Sequence, residues 1–286
     1  MNSAKRLAGV WAEALHAWAI PPEIMEAAPE SPYGFPAELF VRRAERSADA
    51  ARPPTPTTTR ALEALGTGGT VLDVGVGAGA TSLPLAERCT GLIAVDGQPD
   101  LLAEAARAAG EMGVPVTPIE GRWPGVAAET PAADVAVCGH VAYNAPDLDN
   151  FLIAMSQHAR ARVVMELTDH HPWSWMNDLW SRFHGSERPA GPSADDAEQL
   201  CRALGFAVRR EDRVDGAETA GGGFERREDA IGLVRRRLCV PSERDGEIAA
   251  ALGTRLRERD GLWSAGPPEQ RVVTLWWDTG AKGPLL

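Results

Sequence analysis

Lysine is nearly missing from this chain of 286 residues, occurring only at Lys5 and Lys282. Arginine makes up the rest of the 29 basic residues, against 40 acidic ones, for a formal charge of −11. A surface of that sign repels a phosphate backbone, which disfavours nucleic acid as a partner. Cysteine is also scarce: Cys89, Cys138, Cys201 and Cys239 lie far apart and form no C-x-x-C pair, so neither a zinc site nor a disulfide framework is indicated. No apolar run reaches the ~18 residues of a spanning helix, and the apolar stretch near the N-terminus is interrupted by Glu13 and His16. These absences predict a soluble, cytoplasmic chain with no membrane partner; the oligomeric state, monomer or homodimer, stays open. What is present, 44% hydrophobic residues, suffices for a sizeable core, and no internal repeat is visible.

The first 58 residues read as an N-terminal helical cap. Leu7, Trp11, Leu15 and Trp18 recur at helical spacing until Ile20-Pro21-Pro22 stops the run. A second helix is expected over Ala37 to Ala51, after a rigid turn at Pro32-Tyr33-Gly34-Phe35-Pro36 and before a linker from Arg52 to Thr57. From Thr70 onward short apolar runs alternate with helical stretches, the pattern of a parallel sheet covered on both faces. Strands are expected at Thr70–Val74, Gly91–Val95, Val114–Ile119, Asp134–Cys138 and Arg162–Leu167, with helices over Thr81–Cys89, Pro99–Met112 and Pro146–Ala159. Pro115 and Pro118 each lack a ladder donor, which places the third strand at an edge. Beyond the fifth strand come a Trp-rich segment (Pro172 to His184), a helix (Ser193 to Leu204) and a strand (Phe206 to Val214). Then follow a Gly-rich loop (Gly216 to Gly223), helices over Arg227–Leu238 and Arg244–Arg259, and a last strand, Arg271–Trp277. The main α/β domain thus spans 59–286, with helical insertions near 172–192 and 224–262.

The most informative segment is Val71-Leu72-Asp73-Val74-Gly75-Val76-Gly77-Ala78-Gly79, a buried strand running into a glycine loop. Positions without side chains let a ligand approach the backbone. Asp96, ending the second strand, can accept hydrogen bonds from both hydroxyls of a ribose. A dinucleotide fingerprint reads G-x-G-x-x-G; here the spacing is G-x-G-x-G, and Asp73, two residues before the first glycine, repels pyrophosphate while suiting a cationic amino group.

On these residues the sequence resembles the class I S-adenosylmethionine-dependent methyltransferases, whose first motif is an acid followed by G-x-G-x-G and whose second strand ends in an acid. The resemblance covers Thr59 to Thr168. It implies a doubly wound, seven-stranded, mostly parallel sheet closed by an antiparallel last strand, and S-adenosylmethionine as cofactor. By the same resemblance the loop with Gly75, Val76, Gly77 and Gly79 cradles the methionine part, Asp96 binds the ribose, and Gly97 and Gln98 flank the adenine. Where the family often has a Gly-Asp pair, Gly121 and Arg122 stand here, with Trp123 next as a stacking candidate. Asp73 and Gly139 complete the cofactor set.

An acceptor site is expected outside the carboxyl ends of the strands. Two segments end there, Cys138-Gly139-His140-Val141-Ala142-Tyr143-Asn144 and Glu166-Leu167-Thr168-Asp169-His170-His171. His140, His170 and His171 are the candidate bases, with Tyr143 as an orienting group; adjacent side chains of Asp169-His170-His171 point apart, which speaks against a metal. Trp173, Trp175, Trp180 and Phe183, with Met176 and Leu179, form an aromatic segment that is either core or a cover for an apolar acceptor. Together these features predict methyl transfer to an oxygen or nitrogen of a small molecule. The alternatives are a nicotinamide-dependent oxidoreductase and a non-catalytic binding module.

Overall fold

The computed structural model describes residues 2–34, 36–216 and 223–280. Phe35 and most of the Gly216–Gly223 loop therefore lie outside the described residues. Four helices come first: α1 (Asn2–His16), α2 (Pro22–Ala27), α3 (Ala37–Ala48) and α4 (Pro56–Leu65). The α/β alternation follows with β1 (Gly69–Val74), β2 (Cys89–Asp96), α5 (Pro99–Glu111), β3 (Val116–Glu120), β4 (Ala133–Gly139), α6 (Leu148–His158) and β5 (Ala159–Thr168). The remainder comprises α7 (Asn177–His184), α8 (Ala194–Ala203), β6 (Arg209–Gly216), α9 (Arg227–Leu238), α10 (Asp245–Leu252), β7 (Leu256–Arg259), β8 (Leu262–Ala265) and β9 (Glu269–Asp278).

Seven strands form one sheet in the order β3-β2-β1-β4-β5-β9-β6. The first five are parallel, and β9 inserts antiparallel between β5 and β6. This is the class I methyltransferase arrangement, and its order reverses between β1 and β4, where a crevice opens at the carboxyl ends. β3 is an edge strand, as Pro118 requires: it sits opposite Ala94 of β2 and has no outer neighbour, while Pro115 lies just before the strand.

Strand alternation divides the core into two layers. Leu72, Val74 and Cys138 face α1, α6 and α8, whereas Val71, Val137 and Val164 face α3, α4 and α5. A third cluster, built by α7, α9 and α10 with Ile20 and Ile24, lies in the insertions. The N-terminal segment therefore contributes to both faces. Trp11 is 1% exposed in the first layer, and its indole N–H donates to the carbonyl of Ala145 at 2.9 Å. Among the described residues no helix is long and apolar enough to cross a membrane.

Three expectations need correction. The helix expected over Thr81–Cys89 is a short 3₁₀ turn, Leu83–Arg88, because Pro84 removes an amide and β2 already begins at Cys89. The helix expected over Arg244–Arg259 ends at Leu252, where Gly253 takes φ 53°, and the rest becomes a hairpin. Asp260 and Gly261, with φ of 50° and 77°, make the tight turn that pairs β7 with β8. The linker expected up to Thr57 already contains the start of α4, with Pro56 in the first turn and the Thr55 hydroxyl accepting from the Thr58 amide at 3.1 Å.

Trp11 is the large, fully buried side chain of α1. Trp11→Ala is expected to cost about 3–5 kcal/mol, and Trp11→Phe, which mainly loses the hydrogen bond to Ala145, about 1–2 kcal/mol. Urea unfolding of the two variants checks both; near-equal losses would show that α1 is held by something other than this ring.

Candidate active site

The glycine loop leaves β1 through a backbone that side chains would obstruct. Gly75 has φ 74°, and a Cβ there would stand 2.3 Å from Cγ2 of Val141, so the loop after β1 and the loop after β4 touch. The amides of Gly75 and Val76 donate to the carbonyl of Val95, at 2.8 and 3.0 Å, and that of Gly79 to Val76 at 2.8 Å, which fixes the turn. Gly77 is open by contrast, with only Phe40 Cδ1 at 3.5 Å from a Cβ position. Gly139, at the end of β4, abuts Thr81: a Cβ would come within 2.2 Å of its Oγ1.

Asp96 ties this loop to the next strand end. Its Oδ2 accepts from the amide of Gly77 at 2.8 Å and its Oδ1 from that of Gln98 at 2.9 Å, leaving a lone pair on each oxygen. Gly121 joins the same corner by donating its amide to the Asp96 carbonyl at 2.9 Å. The Arg122 side chain crosses Gly97, with Cγ 3.3 Å from that residue's Cβ position. Trp123 turns away. Its indole donates to the Phe151 carbonyl at 3.1 Å and its ring stands edge-on to His158 at 5.0 Å, so the indole packs on α6 instead of offering a stacking face beside Gly121.

Asp73 lies beneath the loop, fully buried, and neither carboxylate oxygen has a hydrogen-bond partner. Burial pushes its carboxyl up to about 7, with Ser82 opposing and the charge of Asp96 adding to the rise. A buried, unmatched carboxylate under an open glycine turn, beside an acid with spare lone pairs, fits a nucleoside that carries a cationic amino-acid tail. Asp73, Gly77 and Asp96 would hold such a cofactor.

The candidate bases are dispersed. His140, after β4, has φ 60° and places Nε2 2.8 Å from Oε1 of Glu166 on β5. His170 is 55% exposed, with Nδ1 3.3 Å from Asp169. His171 stacks on Trp18 at 3.9 Å, and burial, helped by Arg188 and Arg237, lowers it to about 3. The Tyr143 hydroxyl donates to the Thr168 carbonyl at 2.7 Å and its ring stacks on Trp11, so it braces the strand ends. Among the described residues, no three His, Cys, Asp or Glu side chains are placed to hold a metal ion.

Glu166 is the residue that sequence reasoning passed over. It is 8% exposed, and its Oε2 accepts from Thr57 of α4 at 2.6 Å and from Arg213 of β6 at 2.8 Å. Arg43 of α3 stands 3.8 Å from Oε1. Burial alone would raise its pKa, but His140 and Arg213 hold it well below the usual carboxylate range. His140 is itself lowered, first by burial and then by Arg43, with Glu166 opposing. The available signal was a charged residue inside an apolar strand, Val163-Val164-Met165-Glu166-Leu167. Nothing local pointed to Thr57, Arg43 or Arg213.

Asp73 also sets a stability test. A carboxyl raised in the fold keeps its proton where the unfolded chain has lost it, so its contribution falls as pH rises from about 4 to 7. Asp73→Asn is therefore expected to raise the melting temperature of the ligand-free protein at pH 8, less at pH 5, while weakening S-adenosylhomocysteine. Thermal melts at the two pH values with calorimetry check this; a pH-independent difference would contradict the burial of an ionising group.

Residues 71–162 match the family described as a methyltransferase domain. Among the curated proteins, none matches the sequence. Of the solved structures, a Bacillus halodurans C-125 protein taken to be a methyltransferase is similar over 78% of this chain and 98% of its own, at 14% identity and TM-score 0.50. Magnesium protoporphyrin IX methyltransferase of Synechocystis PCC 6803, with S-adenosylhomocysteine bound, covers 88% of this chain and 91% of its own, at 12% identity and TM-score 0.45. The matched segment holds the glycine loop, Asp96 and the crevice between β1 and β4, on the sheet order already described. The chain therefore carries a match to a methyltransferase domain over residues 71–162, on the strand order described above.

Proposed function

We propose that the acceptor is an oxygen or nitrogen of a small molecule, with His140 as the base and S-adenosylhomocysteine as product. One observation carries the reading: a histidine held 2.8 Å from a buried carboxylate sits at the end of β4, next to the segment that covers the glycine loop. Bound S-adenosylmethionine supplies an electrophilic methyl group on a sulfonium.

The proton inventory follows from the partners of Glu166. As an ionised carboxylate it only accepts, so Nε2 of His140 carries the proton and donates at 2.8 Å. Nδ1 is then the nitrogen with a free lone pair, and the lowered pKa keeps it unprotonated near neutral pH. It can take the proton from an acceptor hydroxyl or amine as the oxygen or nitrogen bonds to the methyl carbon. Glu166 acts as a positioning residue. Its other oxygen is saturated by Thr57 and Arg213, which leaves Oε1 for the imidazole. His170 and Tyr143 have no comparable arrangement.

Extracts supplied with labelled S-adenosylmethionine and screened by mass spectrometry for a product one methylene heavier would identify the acceptor. On that acceptor, His140→Ala is expected to lower kcat by about 10²–10⁴ with S-adenosylhomocysteine affinity unchanged. Glu166→Gln removes the charge that holds the imidazole up against Arg43 and Arg213, so the acid limb of the kcat profile should move to lower pH. Unchanged turnover in His140→Ala across pH would remove the base.

A further inference from the structure

In the corner beyond Asp96 one long side chain takes no part in the bonding of the fold. Asp96 and Glu120 end β2 and β3 as register partners. The chain after β3 turns back to Asp96, because the Gly121 amide donates to its carbonyl at 2.9 Å. A Cβ at Gly121 would stand 2.2 Å from Cγ1 of Val126, so the turn is close-packed. Trp123 anchors the next step on the Phe151 carbonyl at 3.1 Å. Between these two fixed points Arg122 reaches across Gly97, with Cγ 3.3 Å and Nε 3.9 Å from that residue's Cβ position. Its stem thus fills the place that a side chain at position 97 would take.

The guanidinium at the end of that stem makes no ion pair and no hydrogen bond among the described residues. Arg107 of α5, by contrast, pairs with Glu104 and Glu111. Arg122, Gly97 and Gln98 are all exposed, so the corner is open to a ligand. A nucleoside with its ribose on Asp96 and its cationic tail running to Asp73 beneath Gly77 has its base at the other end of the sugar. That end is the Gly97-Gln98 turn, with Arg122 laid over it. A guanidinium is planar, weakly hydrated and attracted to the face of an aromatic ring. It carries donors alone, so it cannot accept from an exocyclic amino group.

We propose that Arg122 is the platform for the base, its stem and guanidinium lying against one face of a purine. The site then reads the face of the ring and not the amino group on its edge. The inference rests on the reading of Asp73, Gly77 and Asp96 as a nucleoside cofactor site. Arg122 takes the stacking place expected for Trp123, whose indole is committed to α6.

The test is calorimetric titration of the full chain with S-adenosylhomocysteine and with S-inosylhomocysteine, in which a 6-oxo group replaces the 6-amino group. Stacking tolerates a change of base, so the two are expected to bind within about threefold of each other. Arg122→Ala should weaken both alike, by about three- to tenfold. Arg122→Lys, which keeps the charge and loses the plane, should recover only part of that loss. An unchanged melting temperature shows that each variant is folded. Unchanged S-adenosylhomocysteine affinity in Arg122→Ala, or full recovery in Arg122→Lys, would overturn the platform and leave the cofactor site standing. A preference of the unaltered chain for the 6-amino ligand above about tenfold would do the same, with an acceptor such as Glu120 reading the edge. No binding of S-adenosylhomocysteine by the unaltered chain would overturn the cofactor reading itself, and the platform with it.

Discussion

Negative charge buried at the carboxyl ends of a parallel sheet has to be matched, and the protein matches it at one place and withholds the match at another. Glu166 is over-supplied, with His140, Thr57 and Arg213 in hydrogen-bond contact and Arg43 nearby. Asp73, on the same face two strands away, has both oxygens bare. A saturated carboxylate is a fixed structural charge that can hold a neighbour's tautomer. One without partners favours a cation beside it and is costly to bury alone. On the proposed reading, Glu166 organises the base and Asp73 serves binding.

The division explains why the loops after β1 and β4 must touch. Gly75 and Gly139 each lie where a Cβ would collide, with Val141 and with Thr81 respectively. The absence of both side chains lets the loops after β1 and β4 lie against each other at the reversal between β1 and β4.

How much of this could be read beforehand depended on whether the cause was local. The glycine loop, Asp96 and the edge position of β3 followed from spacing and from Pro118, since each is dictated by a few consecutive residues. The 3₁₀ turn at Leu83–Arg88 was misjudged because helical spacing was weighed without the short distance to β2. The hairpin after α10 was legible in Asp260-Gly261, a pair suited to the tightest turns, but the apolar spacing of the preceding helix was extended across it. Trp123 shows the opposite limit: nothing in its neighbourhood says that the indole will find the Phe151 carbonyl. The ring around Glu166 was least accessible, because its members are brought from α3, α4, β4 and β6 by tertiary folding.

That last fact changes the standing of the N-terminal helices. Trp11 anchors α1 beside Tyr143, Trp18 supports His171, Arg43 faces Glu166 from α3, and Thr57 reaches it from the first turn of α4. Each contact meets a different part of the strand-end region, and all come from sequence that precedes β1. Thr57 also meets Thr274 of β9 at 2.8 Å, which couples α4 to the antiparallel strand between β5 and β6. Loosening this segment would therefore remove the Thr57 donor from Oε2 of Glu166, take Arg43 away from Oε1 and unstack His171 together, because all three contacts come from ahead of β1. The sheet supplies the crevice, and the sequence ahead of it fixes the side chains that give the crevice its chemistry.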